Sequence, residues 1–161
     1  MKWLSFLILL FSFTVIQAQQ PVAKIKITDL EKTIAQSKTP LVINFWATFC
    51  IPCIEELPYF LEAANTYKKD SLTLLLVSLD LEDEYPAGIQ KFMTKHKVQT
   101  PVAWLNETNA DYFLPKIDKK WEGGIPATLF INNATGYRSF HGDQLSKEEL
   151  TATIEKMLKK Q

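Results

Sequence analysis

From Val22 onward, apolar and polar positions switch repeatedly between a strand period and a helix period. Val22 to Ile27 alternates apolar and basic residues like a strand, and Thr28 is placed to cap a short helix with Leu30 and Ile34 on one face. Leu41 to Trp46 is a nearly continuous apolar run, as expected of a central strand covered on both sides. A helix should open at the cysteines that follow and run to about Lys69, burying Leu57, Phe60, Leu61 and Ala64, with a kink at Pro58. Leu72 to Leu79 reads as a second buried strand.

Beyond it lies an acidic cluster, Asp80, Glu82, Asp83 and Glu84, expected to form a solvated loop and not a metal cage, since one stretch supplies it and no turn glycine sits inside. Ala87 to Lys97 suits a helix with Ile89, Phe92 and Met93 inward, followed by a short apolar piece at Val102 to Leu105. Asn106 to Glu122 is the least legible stretch; Ala110 to Leu114 has room for a helical turn or two before Pro115. Thr128 to Ile131, the turn Asn132 to Gly136, and Tyr137 to Phe140 read as a hairpin. Ser146 and Glu149 form a capping box that starts a last helix through Leu150, Ile154, Met157 and Leu158. Strands alternating with helices and ending in a hairpin predict an α/β fold, a central mixed sheet with helices on both faces.

The first residues carry a different pattern. Lys2 precedes an uncharged apolar run from Leu4 to Ile16, and Ala18 supplies a small residue for cleavage, so residues 1–18 are expected to be a signal peptide. The run is shorter than the ~20 residues a membrane span needs. Ile16, bulky where cleavage favours a small side chain, leaves an uncleaved anchor as the alternative. No cysteine follows the run, which argues against a lipid anchor. Residues 19–161 then form one domain, long enough to bury about two thirds of its unfolded surface. Removing Lys2 turns a formal charge of zero into −1, with Lys and Glu scattered and not in blocks. No nucleic-acid or anionic-membrane partner is indicated.

The chain has two cysteines, Cys50 and Cys53, in a protein whose leader points to an oxidising compartment. A disulfide between them closes too small a loop to stabilise much, so the pair points to redox chemistry or metal binding. A thiol attacks a disulfide only as thiolate, and a helix N-terminus lowers its pKa through unpaired N–H groups and the helix dipole. Cys50 stands at that junction, and Pro52 fits the first helical turn. Cys50 is therefore the expected nucleophile. Cys53, one turn inward, resolves the mixed disulfide.

A buried resolving thiol needs a base nearby. Glu56 lies three residues beyond Cys53 on the same helical face, whereas Glu55 turns away, so Glu56 is the candidate proton carrier, its pKa raised by partial burial. An ordinary helix-start carboxylate is the alternative reading of Glu56. Gly123-Gly124-Ile125-Pro126 precedes a strand, and a cis bond before Pro126 would leave the Ile125 backbone able to bind a peptide like an added strand.

The stretch from Asn44 through Cys50-Ile51-Pro52-Cys53 to Pro58, with Gly124-Ile125-Pro126-Ala127-Thr128, resembles the thioredoxin superfamily, in its exported TlpA/ResA-like branch. The resemblance covers the mature chain. It implies a thioredoxin fold, a cis Ile125–Pro126 bond facing the dithiol, and an active-site acid at Glu56. Ile125 and Pro126, with Phe49, Trp46 and Pro52 around the dithiol, form the expected substrate-binding set. It further implies thiol:disulfide exchange outside the cytoplasm, periplasmic or in the cell envelope. No cofactor is expected beyond the dithiol; protein disulfides are the partners, a membrane thiol carrier the electron donor, and the protein a monomer. Members of this branch usually act as reductants, for instance on apocytochromes c during maturation. Two positions depart from the pattern. Phe49 stands where the family usually has Trp, changing the surface beside the dithiol. Asn44 replaces the buried Asp of cytoplasmic thioredoxins, which moves the proton relay to Glu56.

Other chemistries fit less well. Cys-x-x-Cys is half of a zinc site, but the remaining candidates, His96 and His141, lie far apart; copper delivery on the same fold would rest on His141 alone. A peroxidase site would resemble Thr-x-x-Cys with an arginine nearby, and the sole arginine is Arg138. A purely structural or binding module has no need of two thiols at a helix start. Trp104 and Trp121 are expected in the core.

Overall fold

The computed structural model describes residues 21–159, so the expected signal segment lies outside the described residues. Six strands form one sheet: β1 Ala23–Ile25, β2 Leu41–Trp46, β3 Thr73–Ser78, β4 Val102–Leu105, β5 Ala127–Asn132 and β6 Tyr137–His141, in the order β1-β4-β3-β2-β5-β6. The first four run parallel to their neighbours, while β5 is antiparallel to β2 and β6 to β5. The helices are α1 Ile27–Gln36, α2 Ile51–Thr66, α3 Ala87–Lys95, α4 Ala110–Ile117 and α5 Lys147–Leu158.

The sheet's two faces carry separate cores. On β2, Val42 and Trp46 point into a core closed by α2, α3 and α5, which also holds both cysteines. Leu41, Ile43 and Phe45 point the other way, into a core closed by α1, α4 and Trp121. All six β2 residues are buried, as a strand covered on both faces requires. The strand's two-residue period also sends the polar Asn44 to the α2 face.

Several boundaries differ from expectation. The first strand stops at Ile25 and Thr28 lies inside α1; the helix starts instead at Lys26, whose N–H donates to Asp29 Oδ2 at 2.9 Å. Pro58 is held within α2, which ends at Thr66, and Lys69 belongs to a 3-10 turn. The apolar piece at Val102 is a full sheet member pairing with both β1 and β3, because only inclusion between them satisfies its backbone. α4 continues through Pro115 to Ile117, since Phe113, Leu114 and Ile117 pack on the second core. The capping box of α5 is formed: Ser146 Oγ accepts from the Glu149 N–H at 3.2 Å and Glu149 Oε2 from the Ser146 N–H at 2.9 Å.

The acidic stretch after β3 is divided. Glu82 and Asp83 are exposed in a 3-10 turn, but Asp80 is buried, contrary to the expectation of a solvated cluster. Its carboxylate is drawn inward by hydroxyl and N–H donors, described below. Trp104 and Trp121 are buried as expected. The bonds preceding both Pro86 and Pro126 are cis.

Candidate active site

Parallel β2 ends at Trp46, and the chain turns once before α2 begins. Within that turn the Cys50 N–H donates to the Ala47 carbonyl at 3.1 Å. Cys50 is the N-cap of α2 and Pro52 sits in the first turn. Cys50 and Cys53 form a disulfide, and Cys50 Sγ accepts from the Cys53 N–H at 3.3 Å, the interaction that would hold a thiolate there. Cys50 is 7% exposed and Cys53 2%, so Cys53 is the inner sulfur.

Glu56 is fully buried one turn below Cys53. Its Oε1 accepts from Asn44 Nδ2 at 2.8 Å, and its Oε2 from the Leu145 N–H at 2.8 Å. Asn44 Nδ2 also donates to Thr128 Oγ1 at 3.1 Å, tying β2, α2 and β5 together. Burial pushes the Glu56 carboxyl up to about 7, against the downward pull of the Leu145 and Asn44 hydrogen bonds. A carboxyl that titrates near neutrality can both accept and return a proton under working conditions.

The loop between β6 and α5 joins the site unannounced by any sequence signal. Leu145 packs in the same core as the cysteines, and Gln144 Nε2 donates to the Pro52 carbonyl at 3.3 Å. Leu145 binds Glu56 through its backbone, so its side-chain identity gives no hint of the contact. The Gly124 carbonyl accepts from Trp121 Nε1 at 2.8 Å, which seats the Ile125–Pro126 loop on the second core. Pro126 is buried and Ile125 half-buried; Ile125's backbone makes no hydrogen bond among the described residues. Phe49 and Ile51 flank Cys50 and are 67% and 68% exposed. Trp46 is different. It is buried against Phe92, its Nε1 without a partner among the described residues. A cavity of about 300 Å³ lies between the loops after β3 and β4, lined in part by Leu81, Trp104 and Phe113.

The histidines serve other elements. His96 caps α3 and stacks on Phe92, whereas His141 meets Phe130 edge-on, and burial lowers the pKa of each. Arg138 donates to the Ile117 carbonyl and pairs with Ile131, itself opposite Leu41. That is the end of β2 remote from Cys50.

The model of the AhpC/TSA family matches residues 12–135. The chain belongs to this family. Thiol-disulfide oxidoreductase ResA of Bacillus cereus is 32% identical over 137 residues, spanning 81% of this chain and 73% of that protein. A thioredoxin-related protein from Neisseria meningitidis serogroup B superposes with a TM-score of 0.64 at 24% identity, covering 77% of this chain and 89% of that one. A thiol:disulfide interchange protein from Chlorobium tepidum TLS superposes with a TM-score of 0.63 at 17% identity, covering 79% and 85%. The fold is that of thioredoxin, and the activity class is thiol-disulfide oxidoreductase.

Proposed function

We propose that this protein reduces disulfides in other proteins outside the cytoplasm. The observation that carries the reading is the buried Glu56, held by Asn44 and Leu145 one turn from the inner cysteine. Cys50 attacks one sulfur of the client disulfide as a thiolate, forming a mixed disulfide and expelling the other client sulfur as a thiolate. Cys53 then attacks Cys50 Sγ, releasing the client as a thiol and leaving Cys50–Cys53 oxidised. Glu56 takes the Cys53 proton for that step and returns it when the pair is reduced again.

Ile125 supplies backbone groups to an extended client strand beside Pro126. Phe49 and Pro52 offer the client apolar surface, while Trp46 packs in the core that holds the dithiol. The dithiol alone carries the electrons, with no added cofactor. A membrane thiol carrier resupplies them. The client class extends to apocytochromes c, as in the branch the chain resembles, and the protein acts as a monomer, either released from its signal segment or tethered by it.

A redox titration of the purified mature domain, with thiol labelling of Cys50 and Cys53, tests the direction of electron flow. A reversible two-electron couple near or below about −250 mV supports a reductant; a value between about −180 and −120 mV marks an oxidant or isomerase and overturns the reading.

A further inference from the structure

Glu56 and Asp80 are the only buried carboxylates among the described residues, and both are bound to elements that carry the dithiol. The reaction derived above uses Glu56, on the Cys53 side. It leaves Asp80 without a task, although Asp80 is 5% exposed and no ion pair among the described residues includes it.

Asp80 follows β3 and faces the turn between β2 and α2. Oδ1 accepts from the Thr48 N–H at 2.9 Å and from Thr48 Oγ1 at 2.6 Å, while Oδ2 accepts from the same N–H at 3.2 Å and from Ser78 Oγ at 2.7 Å. The residue's own backbone is fastened too. Its N–H donates to Ser78 Oγ at 3.0 Å and its carbonyl accepts from Trp104 Nε1 at 2.8 Å. Thr48 is two residues before Cys50, at most about 7 Å along the chain. A buried negative charge is thus clamped behind the turn that presents the nucleophile.

We propose that Asp80 is a positioning residue for disulfide exchange: it locks the Thr48–Cys50 turn and holds a negative charge behind Cys50 that keeps the couple reducing. The inference rests on the oxidoreductase reading above. The lock follows from the hydrogen bonds, because a free Thr48 N–H would let the turn drift from the helix N-terminus that stabilises the thiolate. The charge acts oppositely to the helix dipole. At a separation of roughly 10 Å and an effective dielectric constant of about 20, it disfavours thiolate by about tenfold. Destabilising the reduced thiolate makes the pair a stronger electron donor. Glu56 lies on α2 and Asp80 after β3 at the Thr48 turn, so charge removal at Asp80 is readable against a retained Glu56.

The experiment compares wild type with Asp80→Asn, which keeps the shape and removes the charge, and with Thr48→Val and Thr48→Ser, which delete and restore the hydroxyl donor. The Cys50 ionisation constant, the redox potential and the rate of reduction of a disulfide-bonded peptide are measured on each. Asp80→Asn is expected to raise the Cys50 ionisation constant about tenfold and move the potential about 30 mV toward oxidising, the equivalent of tenfold for two electrons. Thr48→Val is expected to slow peptide reduction several-fold and Thr48→Ser to return it to within twofold of wild type. A folded Asp80→Asn with unchanged ionisation constant and potential overturns the proposal, as does a Thr48→Val that reacts at the wild-type rate. If Asp80→Asn does not fold, the Thr48 pair decides. Absence of any reversible couple in wild type would instead strike the oxidoreductase reading itself.

Discussion

Glu56 gains its proton at about pH 7 in the folded chain and at 4.5 when unperturbed, so folding takes up a proton between these values. Its contribution to stability is complete below pH 4.5 and is lost as pH rises through about 7, by about 3 kcal/mol. Denaturant unfolding of the oxidised protein at pH 4.5 and pH 8 should show this loss in wild type and most of it gone in Glu56→Gln. Equal pH dependence in both would separate Glu56 from the titration. Asn44→Asp sets a second carboxyl where an amide now lies 2.8 Å from Glu56. Two such groups cannot both ionise cheaply, so that variant should lose more stability than wild type between pH 5 and pH 8. Cys53→Ser should accumulate mixed disulfides on Cys50 during reaction with a disulfide substrate, seen by mass spectrometry; trapping through Cys53 in the Cys50→Ser variant would reverse the two roles.

At the scale of the element, the dithiol helix is legible in the sequence because local rules make it: an apolar strand, an N-cap thiol and a proline in the first turn. The capping box at Ser146 is equally local. What surrounds the helix is not, since Leu145 reaches Glu56 across 89 residues of chain and Asp80 reaches Thr48, in the turn before the helix, across 32. The acidic run after β3 looks uniform along the chain, yet only Asp80 meets inward-facing donors. Gly123, just before the cis proline loop, has φ +90, and a Cβ there would come within 3.2 Å of Leu114 Cδ1. Gly123→Ala should therefore cost roughly 1–2 kcal/mol and loosen the loop, measured as a lower unfolding midpoint.

For the whole molecule, the sheet divides two jobs between its faces. Both cysteines lie in the core under α2, α3 and α5, and the opposite core includes neither. Leu30→Ala, in that opposite core and fully buried, should cost about 2–5 kcal/mol by leaving a cavity. The redox potential should stay within a few millivolts of wild type. A large shift in potential would show that the two cores are coupled through the sheet.

The sequence alone determined the alternation of strands and helices, the placement of Cys50 and Cys53 at a helix start, and the shared face of Cys53 and Glu56. Each follows from neighbours within a turn or a strand period, where backbone geometry is nearly invariant. Tertiary structure decided that β4 enters the sheet between β1 and β3, that Asn44 and Leu145 grip Glu56, and that Asp80 turns inward to Thr48. Those outcomes depend on which distant donor meets which buried acceptor once two faces of one sheet are closed. Desolvation makes such pairing obligatory, and only the folded chain supplies the partners.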